Sequence, residues 1–377
     1  MVEPLRVAVV ASGLGGGGGI ARYTAELLRH LGRRDDLEVL PVVPDEARPI
    51  LDSLAMRNVA EIVADRGRGQ VGRALWERHR LGAELERRGT RLVHGTKHLL
   101  PRTTLPTILT AYDVMPITWP QQFRLAKRVL LPRQYRAALE EATGIVSISE
   151  TTRRRIDRLD PSLGGKVVVV PVGFTSELLE VEPSPLPGLE GVPFALVVGD
   201  LSPRKNFALL LDIWDDVFRA TGGLELVAVG PDGWRSETTR RRLEQLVRRG
   251  AAVSARHVSD GRLRWCYEQA RVVLYPTLEE GFGLPVVEAL AFGAPVIAST
   301  DDAVVEAGQG LPTHVDARDR AGWTAAIVAA SGRGREPGAR PAPQLRSWAD
   351  HAAGVVEVYR TVLDAELRRH RRGGHVA

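Results

Sequence analysis

Short, almost unbroken apolar runs alternate with longer stretches of helical spacing through the first half of the chain. The runs are LRVAVVA (5–11), LEVLPVV (37–43), RLVHGT (91–96), TILTAYD (107–113), GIVSIS (144–149) and VVVVP (167–171). Between them lie stretches such as ARYTAELLRHL (21–31) and YRAALEEAT (135–143), whose apolar positions follow a helical period. Runs that do not alternate with polar residues belong to strands buried on both faces, which predicts a parallel sheet covered by helices.

The alternation breaks at SELLEVEPSPLPGLEGVP (176–193), where prolines, glycines and acids erase any period. It restarts with FALVVGD (194–200), LELVAVG (224–230), VVLYP (272–276) and PVIAS (295–299), with AVSARHV (252–258) a weaker strand. After a polar Pro/Gly-rich loop at 331–343, the tail from Ser347 to Arg369 returns to helical spacing before a frayed basic end. The expected organisation is therefore an α/β protein with one domain over 1–173, a linker over 174–192, a second domain over 193–345 and a helical segment over 346–377. A chain of 377 residues is longer than one hydrophobic core usually supports, which agrees with two domains.

Composition narrows the class. Cys266 is the single cysteine and cannot form an internal disulfide, which fits a reducing compartment and a cytoplasmic address. The opening MVEPLRVAVVASGLGGGGG lacks a basic lead-in and a cleavage site, so it reads as a buried strand rather than a signal peptide. The net charge of +5 is spread among many residues of both signs and points to a solvated surface, not to a nucleic-acid partner. Among 51 basic residues only Lys97, Lys127, Lys166 and Lys205 are lysines, so these four are candidates for roles that need a compact point charge.

Ligands of open parallel sheets collect at the C-terminal ends of the strands. After the first strand comes a glycine run, 13–19, and then a helix beginning near Ile20, which offers amides and a positive helix end to an anion. Gly13, Gly15 and Gly18 also satisfy G-x-G-x-x-G, a weak signal in such a run, and a flexible connection is the plainer reading. After FALVVGD, Arg204 and Lys205 stand before a helix for which Asn206 is a good N-cap; two cations there suit a diphosphate, although a solvated pair is the alternative.

The richest segment is 277–299, TLEEGFGLPVVEALAFGAPVIAS. Glu280 lies in the loop after a strand, Pro285 suits the first turn of a helix, and Glu288 lies one turn into that helix and leans back toward its start. Both carboxylates can face one ligand, with the amides of Gly283 and Leu284 free to donate at the helix mouth. Hydroxyls for the first and phosphate for the second describe a nucleotide-sugar.

With these residues in view, the chain resembles the retaining glycosyltransferases of family 4 (glycosyl transferases group 1), which have the two-domain GT-B fold. Glu280 and Glu288 form the E-x7-E arrangement within EGFGLPVVEALAFGAPVIAS. GGIARY (18–23), LVHGTKHLLP (92–101), TAYDVMPITWP (110–120), SISETTRRRI (147–156), VVPVGF (169–174) and VGDLSPRKN (198–206) match in order, so the resemblance covers nearly the whole chain.

The resemblance implies two Rossmann-like parallel-sheet domains facing a deep cleft, with the terminal helical segment packed back on the first. It implies transfer of a hexose from a nucleotide-diphosphate sugar, used as co-substrate with no cofactor, to a glycan, lipid-linked or small-molecule acceptor. Glu288 would hold the ribose, and Glu280 with Gly281, Phe282, Gly283 and Leu284 the donor sugar. Arg204 and Lys205 would hold the diphosphate, and Gly18 and Gly19 would close over the phosphates. Catalysis would involve Glu280, Arg204, Lys205, Tyr112 and Asp113; the chain contains no Asp-x-Asp, so protein cations rather than a metal are expected to neutralise the leaving group.

Two departures stand out. Tyr112-Asp113 replaces the His-Asp of many relatives, and a tyrosine donates a hydrogen bond but carries no positive charge. Asp200 stands where many relatives have arginine; Arg204 would supply that charge, a form associated with mannose-like or rhamnose-like donors. Lys97 is either an acceptor-side contact or a solvated loop lysine, and 121–136, QQFRLAKRVLLPRQYR, either docks peripherally on an acidic membrane surface or packs on its own domain. A degenerate nucleotide-sugar-binding protein, or an epimerase or hydrolase of the same fold, is the rival reading.

Overall fold

The computed structural model describes residues 3–16, 18–64, 69–123, 125–174, 177–332 and 343–373. Gly17 of the glycine run, residues 333–342 of the polar loop and the basic end beyond Gly373 lie outside the described residues. The chain divides into two compact units, Met1–Gly173 with Arg346–Ala377, and Phe174–Leu345.

The first unit is built on a seven-stranded sheet. Its strands are β1 (Leu5–Val10), β2 (Leu37–Val43), β3 (Val63–Ala64), β4 (Leu92–Gly95), β5 (Thr107–Ala111), β6 (Gly144–Ser147) and β7 (Val167–Val169). The second has β8 (Phe194–Val198), β9 (Glu225–Val229), β10 (Ala252–Ala255), β11 (Val272–Tyr275), β12 (Val296–Ser299) and β13 (Thr313–Val315). The orders are β3-β2-β1-β4-β5-β6-β7 and β10-β9-β8-β11-β12-β13, and every neighbouring pair is parallel. Both units are thus Rossmann-like.

Burial explains why the strands read as continuous apolar runs: Val7, Ala8, Val9 and Val10 are all inaccessible, as are Ala195, Leu196 and Val197 in β8. Six helices carry the residues of interest: α1 (Gly19–Leu31), α2 (Leu125–Glu141), α3 (Phe207–Ala220), α4 (Asp260–Gln269), α5 (Leu284–Ala291) and α6 (Trp348–Gly373). α1 turns Tyr23, Leu27, Leu28 and Leu31 inward, and α3 buries Phe207, Leu210, Leu211, Trp214 and Val217, the one-sided stripe expected of a helix laid on a sheet. α2 is divided: Tyr135, Ala138 and Leu139 join the core, whereas Leu125, Val129 and Leu130 are exposed ahead of the internal Pro132.

Three features depart from the sequence reading. β3 and β13 were not expected; each is an edge strand of two or three residues, too short to form an apolar run. The stretch 174–192, expected as a linker, belongs to the second unit: Leu186 and Leu189 are buried with Phe194, Tyr267 and Ala270, and Phe174 packs with Val287 and Ala307. Its anchoring residues sit mainly on irregular backbone, where burial leaves no period to read. Among the described residues, no helix is long and apolar enough to cross a membrane.

α6 lies on the first sheet, burying Val355, Val358, Tyr359 and Val362. Its start is pressed so closely on the strand side that a Cβ at Gly173 would stand 2.6 Å from Trp348 Cα and 2.7 Å from its backbone nitrogen. A backbone cannot yield as a side-chain end can. Gly173→Ala should therefore loosen the docking of α6 and cost about 1–3 kcal/mol, visible as a lower melting temperature by circular dichroism.

Candidate functional site

In each sheet the winding reverses beside the first strand of its unit, between β1 and β4 and between β8 and β11. The loops leaving those two strands diverge, and the gap they leave at the C-terminal edge is the place for a ligand. Of the residues singled out from sequence, Gly18, Gly19 and Lys97 follow β1 and β4, and Arg204, Lys205, Glu280 and Glu288 follow β8 and β11, whereas Tyr112 and Asp113 follow β5.

In the second unit, the loop after β8 carries Arg204 and Lys205 and the loop after β11 carries Glu280. Lys205 Nζ donates to Glu280 Oε1 at 2.6 Å and to the Tyr275 hydroxyl at 2.8 Å. Arg204 pairs with the same carboxylate oxygen and donates to the Glu279 carbonyl at 3.1 Å, and Thr277 Oγ1 donates to Glu280 Oε1 at 3.0 Å. The two loops are also stitched by backbone, with Leu278 N donating to the Arg204 carbonyl at 2.9 Å. One carboxylate serves two cations, so the cluster carries net positive charge.

The electrostatics follow from that count. Burial alone would raise the Glu280 carboxyl, but the charges of Lys205 and Arg204 and the Lys205 hydrogen bond outweigh it and hold it at about 2. Lys205 is lowered as well, first by burial and further by Arg204, against the pull of Glu280. The two directions are compatible because Lys205 shares its counter-charge. A carboxylate so firmly ionised is a poor base; its place suits hydroxyl acceptance and cation positioning.

Asn206 is the main local correction. It occupies the position before α3 but is left-handed (φ 55°), and its side chain caps nothing there. Instead Nδ2 donates to the carbonyls of Pro276 (3.0 Å) and Ala317 (2.8 Å), tying the cation loop to the β11 loop and to the segment after β13. The sequence showed a capping residue type; only the fold shows a cross-brace.

Glu288, in α5, is buried, and its Oε2 accepts the Tyr267 hydroxyl at 2.8 Å. Tyr267 comes from α4 and stacks on Phe292. Ahead of α5 the backbone of Gly281 to Leu284 makes the turn, with Gly283 left-handed (φ 109°) at the N-cap, and neither a side-chain cap nor an acidic first-turn residue fills the helix mouth. Phe282 packs against Phe174, Val287 and Ala307 rather than toward solvent alone.

The first unit repeats the theme. Gly18 (φ 87°) is the N-cap of α1, which starts at Gly19 and likewise has no side-chain cap and no acid in its first turn. Lys97 is exposed after β4, close enough that a Cβ on Gly13 would lie 4.0 Å from its Cδ. Tyr112, expected beside a reacting sugar, is instead buried: its hydroxyl donates to the Thr96 carbonyl at 2.9 Å and its ring meets Tyr23 edge-on at 4.9 Å. Asp113 Oδ1 accepts the Met115 amide at 2.9 Å, an Asx turn that starts the next helix. Both side chains make contacts that shape the fold locally.

Sequence reasoning missed Tyr275, Thr277 and Tyr267. Two are legible as strand-end residues, but which hydroxyl meets which charge depends on β8–β11 register. Among the described residues, no group of three or more His, Cys, Asp or Glu side chains is placed to hold a metal ion. If the cluster is one coupled unit, Lys205→Met and Glu280→Gln should each cost about 2 kcal/mol, and the Lys205→Met/Glu280→Gln double variant should lose at least about 0.5 kcal/mol less than the sum. Chemical denaturation of the full chain at neutral pH measures this.

Comparison with known proteins identifies the family. The model for glycosyltransferase family 4 matches residues 17–178, and the model for glycosyl transferases group 1 matches 193–331. The O-antigen chain mannosyltransferase B of Escherichia coli is 28% identical over 238 residues, covering 60% of this chain and 62% of that protein, so a little under two thirds of its length is spanned. Two solved structures share the fold: WaaG, a glycosyltransferase involved in lipopolysaccharide biosynthesis (TM-score 0.64, 16% identity, 92% of this chain and 94% of that one), and Anabaena Alr3699/HepE in complex with UDP-glucose (TM-score 0.65, 13% identity, 97% and 100%). The two family models together take in the glycine cap, the cation pair and both glutamates, and the chain belongs to glycosyltransferase family 4.

Proposed function

We propose that this chain transfers a mannose- or rhamnose-like hexose from a nucleotide-diphosphate sugar to a glycan acceptor, retaining anomeric configuration and needing no metal. The observation that carries the proposal is the convergence of Arg204 and Lys205 on Glu280 beside the uncapped mouth of α5. Without donor the carboxylate keeps both cations in place. A diphosphate would draw their charge, and the carboxylate would then accept hydroxyls of the sugar it carries.

Retention is carried over from the family resemblance, in which the leaving phosphate takes the acceptor's proton in a front-face displacement; Glu280, ionised beside Lys205 and Arg204, is left to accept hydroxyls. Glu288 is assigned to the ribose hydroxyls and Tyr267 to orienting it. The mannose-like donor and glycan acceptor are supported by the E. coli relative, an O-antigen chain mannosyltransferase, and a nucleotide-sugar donor by the UDP-glucose bound to HepE. Lipid-linked and small-molecule acceptors fit the same donor site.

A panel of UDP-, GDP- and dTDP-sugars, with NAD(P)H as control, should give thermal stabilisation by one class of nucleotide-sugar; a response only to NAD(P)H would overturn the proposal. Glu288→Ala should weaken binding of that donor by about 1–3 kcal/mol, by calorimetry. Transfer should persist in excess EDTA.

The exposed start of α2 favours a second, peripheral role. Leu125 is 77% exposed and Val129 59%, with Lys127, Arg133 and Arg136 also exposed on the same helix. This mixture suits shallow docking on anionic lipid at the inner membrane surface. The protein should co-sediment with vesicles containing phosphatidylglycerol but not with pure phosphatidylcholine, and Leu125→Ser/Val129→Ser should reduce the difference.

A further inference from the structure

Beneath the glycine cap of the first unit runs a buried chain of hydrogen bonds that no role described so far uses. His351, in α6, has Nδ1 3.0 Å from the Pro171 carbonyl and Nε2 2.9 Å from the Tyr23 hydroxyl. Tyr23, in the first turns of α1, lies 3.2 Å from Thr110 Oγ1, which lies 2.7 Å from His94 Nε2; His94 Nδ1 is 2.6 Å from the Tyr359 hydroxyl, again in α6. Both imidazoles are inaccessible to solvent.

One atom fixes the direction of every bond. A carbonyl can only accept, so His351 Nδ1 carries hydrogen and, in the neutral ring, Nε2 is an acceptor. Tyr23 must then donate to His351 and accept from Thr110; Thr110 must accept from His94 Nε2–H; and His94 Nδ1 must accept from Tyr359. Each donor meets one acceptor along the whole chain. A proton added to His351 makes Nε2 a donor and forces the Tyr23 hydroxyl to reverse, and one added to His94 makes Nδ1 a donor and turns the Tyr359 hydrogen out of the chain.

We propose that His351, Tyr23 and His94 are positioning residues, through which α6 holds the first turns of α1 and so fixes the glycine cap at Gly18 and Gly19. Its bearing on turnover rests on the transferase function proposed above together with the phosphate role that the family resemblance implies for Gly18 and Gly19; the hydrogen-bond chain itself does not. Packing supports the arrangement, since the Tyr23 ring lies edge-on to Tyr112, Trp348 and His351. The surroundings also keep the rings neutral. Burial brings His94 to about 3, with His351 adding to it, and His351 to about 4, where Arg346 and, when protonated, His30 act in the same direction against the backbone carbonyls of Pro171 and Val170. The other titratable groups on these rings are the hydroxyls of Tyr23 and Tyr359. An unfolded histidine takes its proton near 6.5, so the folded unit should lose stability as pH falls from about 6.5 toward about 4.

Nitrogen-15 NMR of the histidine-labelled full chain tests the chain directly. We expect Nδ1–H at His351 and Nε2–H at His94, with neither ring titrating above pH 5. Tyr23→Phe removes one oxygen from the middle and leaves the ring packing. It should speed amide exchange of Arg22 to Glu26, the first hydrogen-bonded amides of α1, about tenfold and lower kcat on the order of tenfold, with little change in nucleotide affinity, which the second unit's cations supply. His351→Gln, whose carbonyl stands where Nε2 accepts, should retain most of the turnover that His351→Leu loses. The opposite tautomer at either ring, a histidine titrating near 6.5, or unchanged kcat and exchange in Tyr23→Phe and His351→Leu despite lower melting, would overturn the proposal. Tautomers and exchange are read without donor, so failure of the transferase reading would leave them standing.

Discussion

Parallel pairing is the constraint from which both units follow. Two parallel neighbours cannot be joined by a tight turn, so each strand is followed by a crossover that returns over one face of the sheet. When the chain has laid down β1, β2 and β3 in one direction, the next strand must pair on the other side of β1, and the loops after β1 and β4 leave in opposite directions. The same happens at β8 and β11. The gaps are consequences of topology before any side chain is chosen, and the glycine cap, Lys97, the cation pair and Glu280 are what this sequence places at their edges.

What the second unit adds is a charge problem solved locally. Arg204 and Lys205 would repel one another in a half-buried loop, and an isolated buried carboxylate would be costly. Placing Glu280 against both removes each difficulty, while the hydroxyls of Tyr275 and Thr277 satisfy remaining capacity at the same point. The cations are held in a fixed geometry by a group weaker than a diphosphate as a partner. A site arranged in this way need not reorganise when charge develops on a leaving group, which is the property that matters in phosphate-ester and glycosyl chemistry.

The legibility of these features differs with their physical origin. β1, β8 and β11 could be read because burial on both faces demands apolar residues at every position, and Arg204, Lys205, Glu280 and Glu288 could be placed beyond strand ends because the strands before them could be read. β3 and β13 could not, since two or three residues pairing on one side impose no pattern. Asn206 shows a subtler limit: its type fits a cap, yet a left-handed backbone sends the amide to Pro276 and Ala317. Tyr112 shows another, because a hydroxyl near a strand end is equally suited to a ligand or a backbone carbonyl, and only the position of Thr96 decides.

Helix starts carry the same distinction in reverse. The helices opening at Glu150, Asp260, Asp302 and Arg320 are capped by the side chains of Ser149, Ser259, Asp301 and Asp319. Those opening at Gly19 and Leu284, at the two switch points, have glycine in the left-handed region and no side-chain cap. Replacing a serine or aspartate cap by glycine costs a helix only a few tenths of a kcal/mol, so little stability is given up. What is gained is a helix mouth whose amides face outward with no carboxylate to compete for them. Helices opening at Arg48, Leu81, Phe207 and Glu237 also lack a side-chain cap, but a positive-φ glycine at the cap, almost neutral for folding and open to an anion, stands at both switch points, where a phosphate-bearing donor explains it better than the demands of the fold.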